Sequence, residues 1–200
     1  MFSLRSFLPL LAPLRRRALP MLAVLMFALL SSACVHYEVL RQTPSALVGV
    51  SSMTVNYFYT EVAISDKRMS EQQWLETREK DEHRQTYLET KESANTGVVE
   101  GLSSKIGGVS LSVGEAPAGT IQVSVVYEEW EEGMYAGVFA WPSKITARVV
   151  FSKDGQVLDE IRIRTQEDAS LYTPAPQQRL HTCGKRIGEW TAEYIISVAH

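Results

Sequence analysis

The clearest alternation of hydrophobic and polar residues lies between residues 120 and 165. Three segments there, 120–130, 143–151 and 157–165, place apolar side chains at every second position, which is typical of strands with one buried face. The pair Asp154-Gly155 separates the last two segments and favours a tight hairpin with positive φ. The pattern therefore predicts antiparallel neighbouring strands.

Two stretches have the pattern of a helix. From residue 177 to residue 199 the apolar positions recur every three or four residues, as in an amphipathic helix. Residues 69–106 begin with Ser70-Glu71-Gln72-Gln73, which matches a capping box, and Gly107-Gly108 after them is typical of a left-handed helix end. We expect residues 76–86 to form a solvated connector or a loose helix, since they contain no apolar stripe. The helical face predicted for the remainder comprises Leu88, Lys91, Asn95, Val98, Val99, Leu102 and Ile106.

Two further segments, 52–64 and 109–113, complete the predicted strands. Strands in a run with helices to one side are typical of an α+β fold. We therefore expect a single α+β domain over residues 51–200. Its antiparallel sheet has about five strands by this pattern, with the helices packed on one face as a two-layer sandwich.

Residues 15–34 have a different character from the rest of the chain. Arg15-Arg16-Arg17 precedes an apolar core over residues 19–30, and small residues then lead to Cys34. This combination forms an export signal. The core of about 12 residues is shorter than the roughly 20 that a membrane-spanning helix needs. Plain secretory cleavage would leave a free cysteine at the head of the exported chain.

The sequence Ser31-Ser32-Ala33-Cys34 resembles the end of a bacterial lipoprotein signal, in which the chain is cut before the cysteine and the thiol carries lipid. The resemblance implies a signal peptide over residues 1–33 and a lipidated N-terminus and tether over residues 34–50. Acyl chains on Cys34, palmitate among them, would attach the protein to the membrane. No Asp follows Cys34, which by the same resemblance favours the outer membrane, on its periplasmic side.

The charge balance narrows the choice of partner. After Ala33 the chain has 16 Lys and Arg residues against 23 Asp and Glu, a formal charge of −7. Nucleic-acid-binding domains have a basic patch or stripe, so we expect no nucleic-acid partner. Only Cys183 remains besides Cys34, and its place on the apolar stripe of the last helix predicts a buried thiol.

Aromatic residues gather around two glycines in the segment before residue 143. Such side chains dominate binding hot spots, so they are the candidate surface for a partner or a ligand. They equally suit the core or the covering of a sheet end, and the sequence leaves both interpretations open. The four residues are Trp130, Tyr135, Phe139 and Trp141.

Four carboxylates, those of Glu128, Glu129, Glu131 and Glu132, crowd around Trp130. A hard cation needs several oxygen ligands in one place, whereas alternate residues of a strand point to opposite faces. We therefore predict no metal site there. The histidines lack ligand spacing, and the sequence contains no nucleophile motif or phosphate-binding loop. We expect no cofactor and no enzymatic activity.

The stretch Val125-Val126-Tyr127-Glu128-Glu129-Trp130, followed by Gly133-Met134-Tyr135, is similar to small uncharacterised envelope lipoproteins. That resemblance implies an envelope location and the α+β plan, and it brings no activity with it. We predict a non-enzymatic accessory or interaction module in envelope assembly or transport, with an envelope protein as partner. The alternative is a carrier of a small apolar ligand or lipid between sheet and helices, and a hydrolase is the third candidate.

Overall fold

The computed structural model describes residues 36–44, 46–59, 62–64 and 67–199, with only the backbone of residues 62–64. The strands in these ranges are β1 (Tyr37–Arg41), β2 (Ser52–Phe58), β3 (Val62–Ile64), β4 (Lys67–Met69), β5 (Ser110–Val113), β6 (Ile121–Glu131), β7 (Met134–Tyr135), β8 (Ala140–Trp141), β9 (Ser143–Lys153) and β10 (Gln156–Glu167). The helices are α1 (Glu71–Glu76), α2 (Asp81–Lys105) and α3 (Pro176–Val198). None of these three helices is both long and apolar enough to cross a bilayer.

The predicted combination of helices with one main sheet is confirmed, but the sheet is mixed. Six strands lie in the order β1-β10-β9-β6-β2-β5, and in addition β3 pairs with β6 and β4 pairs with β3. The strands from β1 to β6 in this order are antiparallel neighbours, whereas β2 is parallel to both β6 and β5. The prediction of an antiparallel sheet is therefore wrong for this half. Parallel neighbours need a crossover connection, which α1 and α2 supply between β2 and β5.

The predicted hairpin is present between β9 and β10. Lys153 pairs with Gln156 across the turn, and the two residues between them, Asp154 and Gly155, have φ values of 49° and 79°. Positive φ at both central positions is typical of the two-residue turn that matches the twist of the strands.

Strand β1 lies inside the segment that the sequence assigns to a tether. Its Tyr37 pairs with Ile163 of β10, so backbone hydrogen bonds fix this part of the chain to the sheet. His36, just before it, stacks on Trp190 of α3 with 4.6 Å between ring centroids. Cys34 and the predicted signal peptide lie outside the described residues.

The helical stretch over residues 69–106 is divided in two. The capping box is confirmed at the start of α1, because the Ser70 hydroxyl accepts from the Gln73 amide and the Gln73 side chain accepts from the Ser70 amide. A connector then separates α1 from α2, within the stretch that lacks an apolar stripe. Gly108, at a φ of 79°, follows the end of α2 as predicted.

The buried face of α2 agrees with the prediction toward its end, where Val98, Leu102 and Ile106 are buried, and differs from it in the first half. Tyr87, Thr90 and Ala94 are buried, whereas Leu88 is 46% exposed. The reason is that α2 approaches α3 along a row of small residues, and these residues set the orientation of the helix.

Four glycines make this close approach of α2 and α3 possible. Gly97 and Gly101 of α2 lie against the backbone of α3, and Gly184 and Gly188 of α3 lie against the backbone of α2. A Cβ atom at any of these positions would overlap a carbonyl oxygen of the facing helix. The two helices therefore form one tightly packed unit.

The two faces of the sheet differ in polarity. Along β6, Ile121, Val123, Val125 and Tyr127 are buried, and the Tyr127 hydroxyl donates to Asn95 of α2 at 2.9 Å. The residues between them lie on the opposite, polar face of the sheet, where ion pairs join neighbouring strands. On that face Glu128 of β6 pairs with Arg148 of β9 and Arg162 of β10.

Candidate functional site

A short hairpin projects from the end of the sheet where β6 stops and β9 begins. Strands β7 and β8 form it, with Met134 opposite Trp141 and Tyr135 opposite Ala140. Gly137 turns the chain at the tip with a φ of 76°. We call residues 134–141 the β7–β8 hairpin.

The β7–β8 hairpin exposes apolar side chains at its tip and at its base. Val138 is 90% exposed, Phe139 65% and Trp141 59%, and Met134 is exposed as well. Large apolar side chains that cluster at the surface mark sites of interaction. The structure thus brings Phe139 and Trp141, two of the four predicted residues, to one surface. Tyr135 pairs with Ala140 next to the turn and is partly exposed.

Trp130 is not part of this surface. Its ring is fully buried and meets Tyr127 and Tyr87 edge to face, at 5.4 Å and 6.2 Å between ring centroids. The sheet register explains the difference. A bulge between Tyr127 and Glu129 shifts the pairing of β6 with β9 by one residue, so Trp130 returns to the core side that Tyr127 occupies.

A second exposed apolar segment, which the sequence analysis missed, follows β10. Leu171 is 79% exposed and Tyr172 is 93% exposed. The turn that carries them is held by Ser170 and Thr173, whose hydroxyls bond to each other at 2.9 Å. A Leu-Tyr pair just before a proline-rich loop was the only signal in the sequence. We call residues 170–173 the Leu171–Tyr172 turn.

Arg179 of α3 connects the two segments. This fully buried side chain donates from Nη1 to the carbonyls of Thr173 and Pro174, at 2.8 and 2.6 Å. It also donates from Nη2 to the Glu132 carbonyl at 3.1 Å and from Nε to the Ser143 hydroxyl at 2.8 Å. The guanidinium thereby joins the end of the Leu171–Tyr172 turn to both ends of the β7–β8 hairpin.

The four carboxylates near Trp130 have different bonding partners. Glu128 pairs with two arginines on the polar face, Glu129 accepts a hydrogen bond from Thr146, and Glu131 accepts one from the Gly133 amide at 3.3 Å. Glu132 pairs with Arg78 at 3.6 Å, and burial raises the pKa of its carboxyl. Among the described residues, no group of three or more histidines, cysteines or acidic residues is arranged to hold a metal ion.

Cys183 is fully buried within α3, as its position on the apolar stripe predicts. Its sulfur lies 3.8 Å from the carbonyl oxygen of Ser143. Burial raises the pKa of the thiol to about 11, and a neutral buried thiol is a poor nucleophile.

A groove lies along α2 beside the edge strand β5. It has a volume of about 800 Å³, within the usual range for small-molecule sites. Tyr57, Val99 and Val113 provide apolar lining, and Glu100 and Lys185 are among its charged residues. The surface of the groove is thus mainly apolar, with a few charged and polar side chains among its walls.

Comparison with known proteins yields structural neighbours only. No family model and no curated protein matches the chain. A PelC dodecamer from Paraburkholderia phytofirmans is 10% identical and aligns over 77% of this chain and 96% of its own, with a TM-score of 0.39. A point variant of that dodecamer is 11% identical over 77% and 95%, with a TM-score of 0.38. An uncharacterised protein is 13% identical over 80% and 94%, with a TM-score of 0.31. Likenesses at this level support no conclusion about function.

Proposed function

We propose that the protein is a lipid-anchored, non-enzymatic module of the cell envelope that acts by binding. Cys34 would carry the acyl chains, and the domain would face the periplasm from the outer membrane. The β7–β8 hairpin would be the binding surface of this module.

The binding role is supported by the exposure of Val138, Phe139 and Trp141 on a hairpin whose two flanking segments are hydrogen-bonded to Arg179. Apolar side chains gain free energy when they leave water, about 25 cal/mol for each Å² that is covered. The fold leaves three such side chains in water, and a partner that covered them would gain this free energy.

The proposal includes a two-layer arrangement, with α2 and α3 on one face of the mixed sheet. It is supported by the hydrogen bonds from Tyr57 and Tyr127 to Asn95 of α2. The ion pairs of Glu128 on the other face provide further support. In such an arrangement the hairpin extends beyond one end of the two layers, and a partner could bind it without moving either helix.

Cell fractionation combined with co-purification tests the proposal. We expect Cys34→Ser to leave the membrane fraction, because the chain then lacks its acyl chains. We expect Phe139→Ser with Trp141→Ser to stay folded and anchored but to lose the proteins that co-purify through the hairpin. Val113→Ser is the matched control, since Val113 is 63% exposed on β5. Unchanged membrane retention of Cys34→Ser would contradict the anchor, and unchanged contacts of the double variant would contradict the binding role.

The groove favours a carrier of small apolar ligands as the second candidate, because its volume suits a small molecule. Saturable binding of a fluorescent fatty acid would support it if Val99→Trp, which fills the groove, abolished the binding. Phe139→Ser is the matched control and should bind as the wild type does. Absence of saturable binding would exclude this candidate.

A further inference from the structure

We propose that the β7–β8 hairpin and the Leu171–Tyr172 turn dip into the lipid bilayer beside acylated Cys34, as a second point of attachment. This proposal rests on the lipid anchor of the proposed function and names the partner of the same hairpin. It is supported by the direction in which the chain enters the sheet, by the short distance along the chain from Cys34 to the fold, and by the apolar surface of the two segments.

Chain direction brings the start of β1 to the end of the sheet where the hairpin lies. Because β1 is antiparallel to β10 and its Tyr37 pairs with Ile163, the chain enters β1 from the side on which β10 ends at Glu167. The same end contains the start of β9 and the end of β6, since Glu167 pairs with Ser143 and Glu131 pairs with Lys144. The β7–β8 hairpin connects those two strands.

The reach from the lipid to the folded domain is short. His36 is held against Trp190, and Cys34 precedes His36 by two residues. Two extended residues span at most about 7 Å. Acyl chains on Cys34 would therefore keep the bilayer surface close to this end of the domain.

The apolar segments lie beside this attachment point. Only β10 lies between β1 and β9, and neighbouring strands are about 4.8 Å apart, so β9 is about 10 Å across the sheet from β1. Tyr37 is level with Ala147 through Ile163, and the start of β9 lies four residues, about 13 Å, further toward the end that the chain enters from Cys34. The Leu171–Tyr172 turn follows β10 itself. Through Arg179 both segments are fixed to the same support.

The chemistry of the two segments suits lipid. Tryptophan and tyrosine favour the boundary between headgroups and acyl chains, and Trp141 and Tyr172 are exposed beside Val138, Phe139 and Leu171. Neither residues 134–141 nor residues 169–175 contain a lysine or an arginine. The contact would therefore form by insertion of apolar side chains and would depend little on salt or on anionic lipid.

Quenching of tryptophan fluorescence by brominated lipid tests the proposal. Full-length protein, extracted from membranes in detergent, is reconstituted into vesicles of phosphatidylethanolamine and phosphatidylglycerol with brominated acyl chains. We expect the emission of Trp141, obtained as the difference between wild type and Trp141→Phe, to be quenched. Phe139→Ser with Val138→Ser should reduce this quenching, while Val48→Ser, at a 50% exposed valine between β1 and β2, should not. Quenching should persist at high salt.

The outcomes separate the two proposals. A Trp141 signal that brominated lipid leaves unchanged in vesicle-bound protein would overturn the insertion proposal. If Phe139→Ser then also lost an envelope protein on co-purification, the hairpin would be a protein-binding surface, and the proposed function would stand without insertion. A membrane-extracted chain whose Cys34 carries no acyl groups would overturn the anchor, whereas the Trp141 readout would still report on the hairpin.

Discussion

At the scale of single residues, Arg179 positions the candidate surface. Its side chain is fully buried and donates to three backbone carbonyls and to the Ser143 hydroxyl. These acceptors belong to segments that are far apart in the chain, and no other described side chain bonds to all of them. The arrangement of these segments at the end of the sheet therefore depends on the Arg179 guanidinium.

We expect Arg179→Met to lower the free energy of unfolding by about 2–4 kcal/mol, because several buried acceptors would lose their donor. Arg179→Lys should have a smaller effect, since an ammonium keeps the charge but cannot reproduce the planar arrangement of donors. Urea denaturation followed by circular dichroism measures both. A loss below about 0.5 kcal/mol for Arg179→Met, which is the range of ordinary surface substitutions, would contradict this role.

The buried thiol of Cys183 predicts a dependence of stability on alkaline pH. Its pKa is about 11 in the folded protein and 9.0 without the fold. Between these values the unfolded chain loses the proton while the folded chain keeps it, so the free energy of unfolding falls as the pH rises. Below pH 8 both states hold the proton and the term is absent.

We expect Cys183→Ala to reduce the slope of unfolding free energy against pH between pH 9 and pH 10, by up to about 1 kcal/mol per pH unit. Buried tyrosines contribute in the same direction at higher pH, because burial raises the pKa of Tyr127 and Tyr194. Denaturation of the wild type and of Cys183→Ala at each pH measures the two slopes. Equal slopes would show that the thiol of Cys183 is not shielded in the folded state.

At the scale of elements, the glycines between α2 and α3 decide how the helices pack. We expect Gly101→Ala to destabilise the protein by about 1–3 kcal/mol, the usual cost of overpacking, because its Cβ would overlap the carbonyl oxygen of Lys185. Gly107→Ala is the matched control, since nothing lies within 4 Å of its Cβ position. Thermal denaturation measures both. Equal melting temperatures of the two variants would contradict the close approach of the helices.

The buried face of the first half of α2 could not be predicted from hydrophobic periodicity, because this method weights large apolar residues. The row of Gly97 and Gly101 is visible in the sequence as two glycines four residues apart, and Gly184 and Gly188 repeat that spacing in α3. Such pairs allow two helix backbones to approach closely. Their spacing, rather than the position of Leu88, was the informative signal.

The sheet was predictable where strands are joined by short turns and not where a helix intervenes. Asp154-Gly155 fixes β9 and β10 as a hairpin, and the structure agrees. The residue pattern of β2 and β5 predicts that both are strands, but it does not give their direction. Their parallel pairing follows from the crossover through α1 and α2.

At the scale of the whole molecule, the candidate surface was predicted in part. Phe139 and Trp141 were identified by residue type, and they are exposed together. Trp130 has the same chemistry but lies in the core, because the bulge in β6 moves it there. A bulge leaves no reliable mark in the sequence. The contribution of Leu171 and Tyr172 depends on the long-range bonds of Arg179, which no local pattern reveals.

The attachment of the whole domain rests on Cys34, and intact-mass spectrometry of the protein extracted from membranes tests it most directly. We expect a chain that begins at Cys34 and whose mass exceeds that of residues 34–200 by the mass of its acyl groups. Cys34→Ser should lack that excess. A membrane-extracted chain with an unmodified cysteine, or one that begins at another residue, would contradict the lipid anchor.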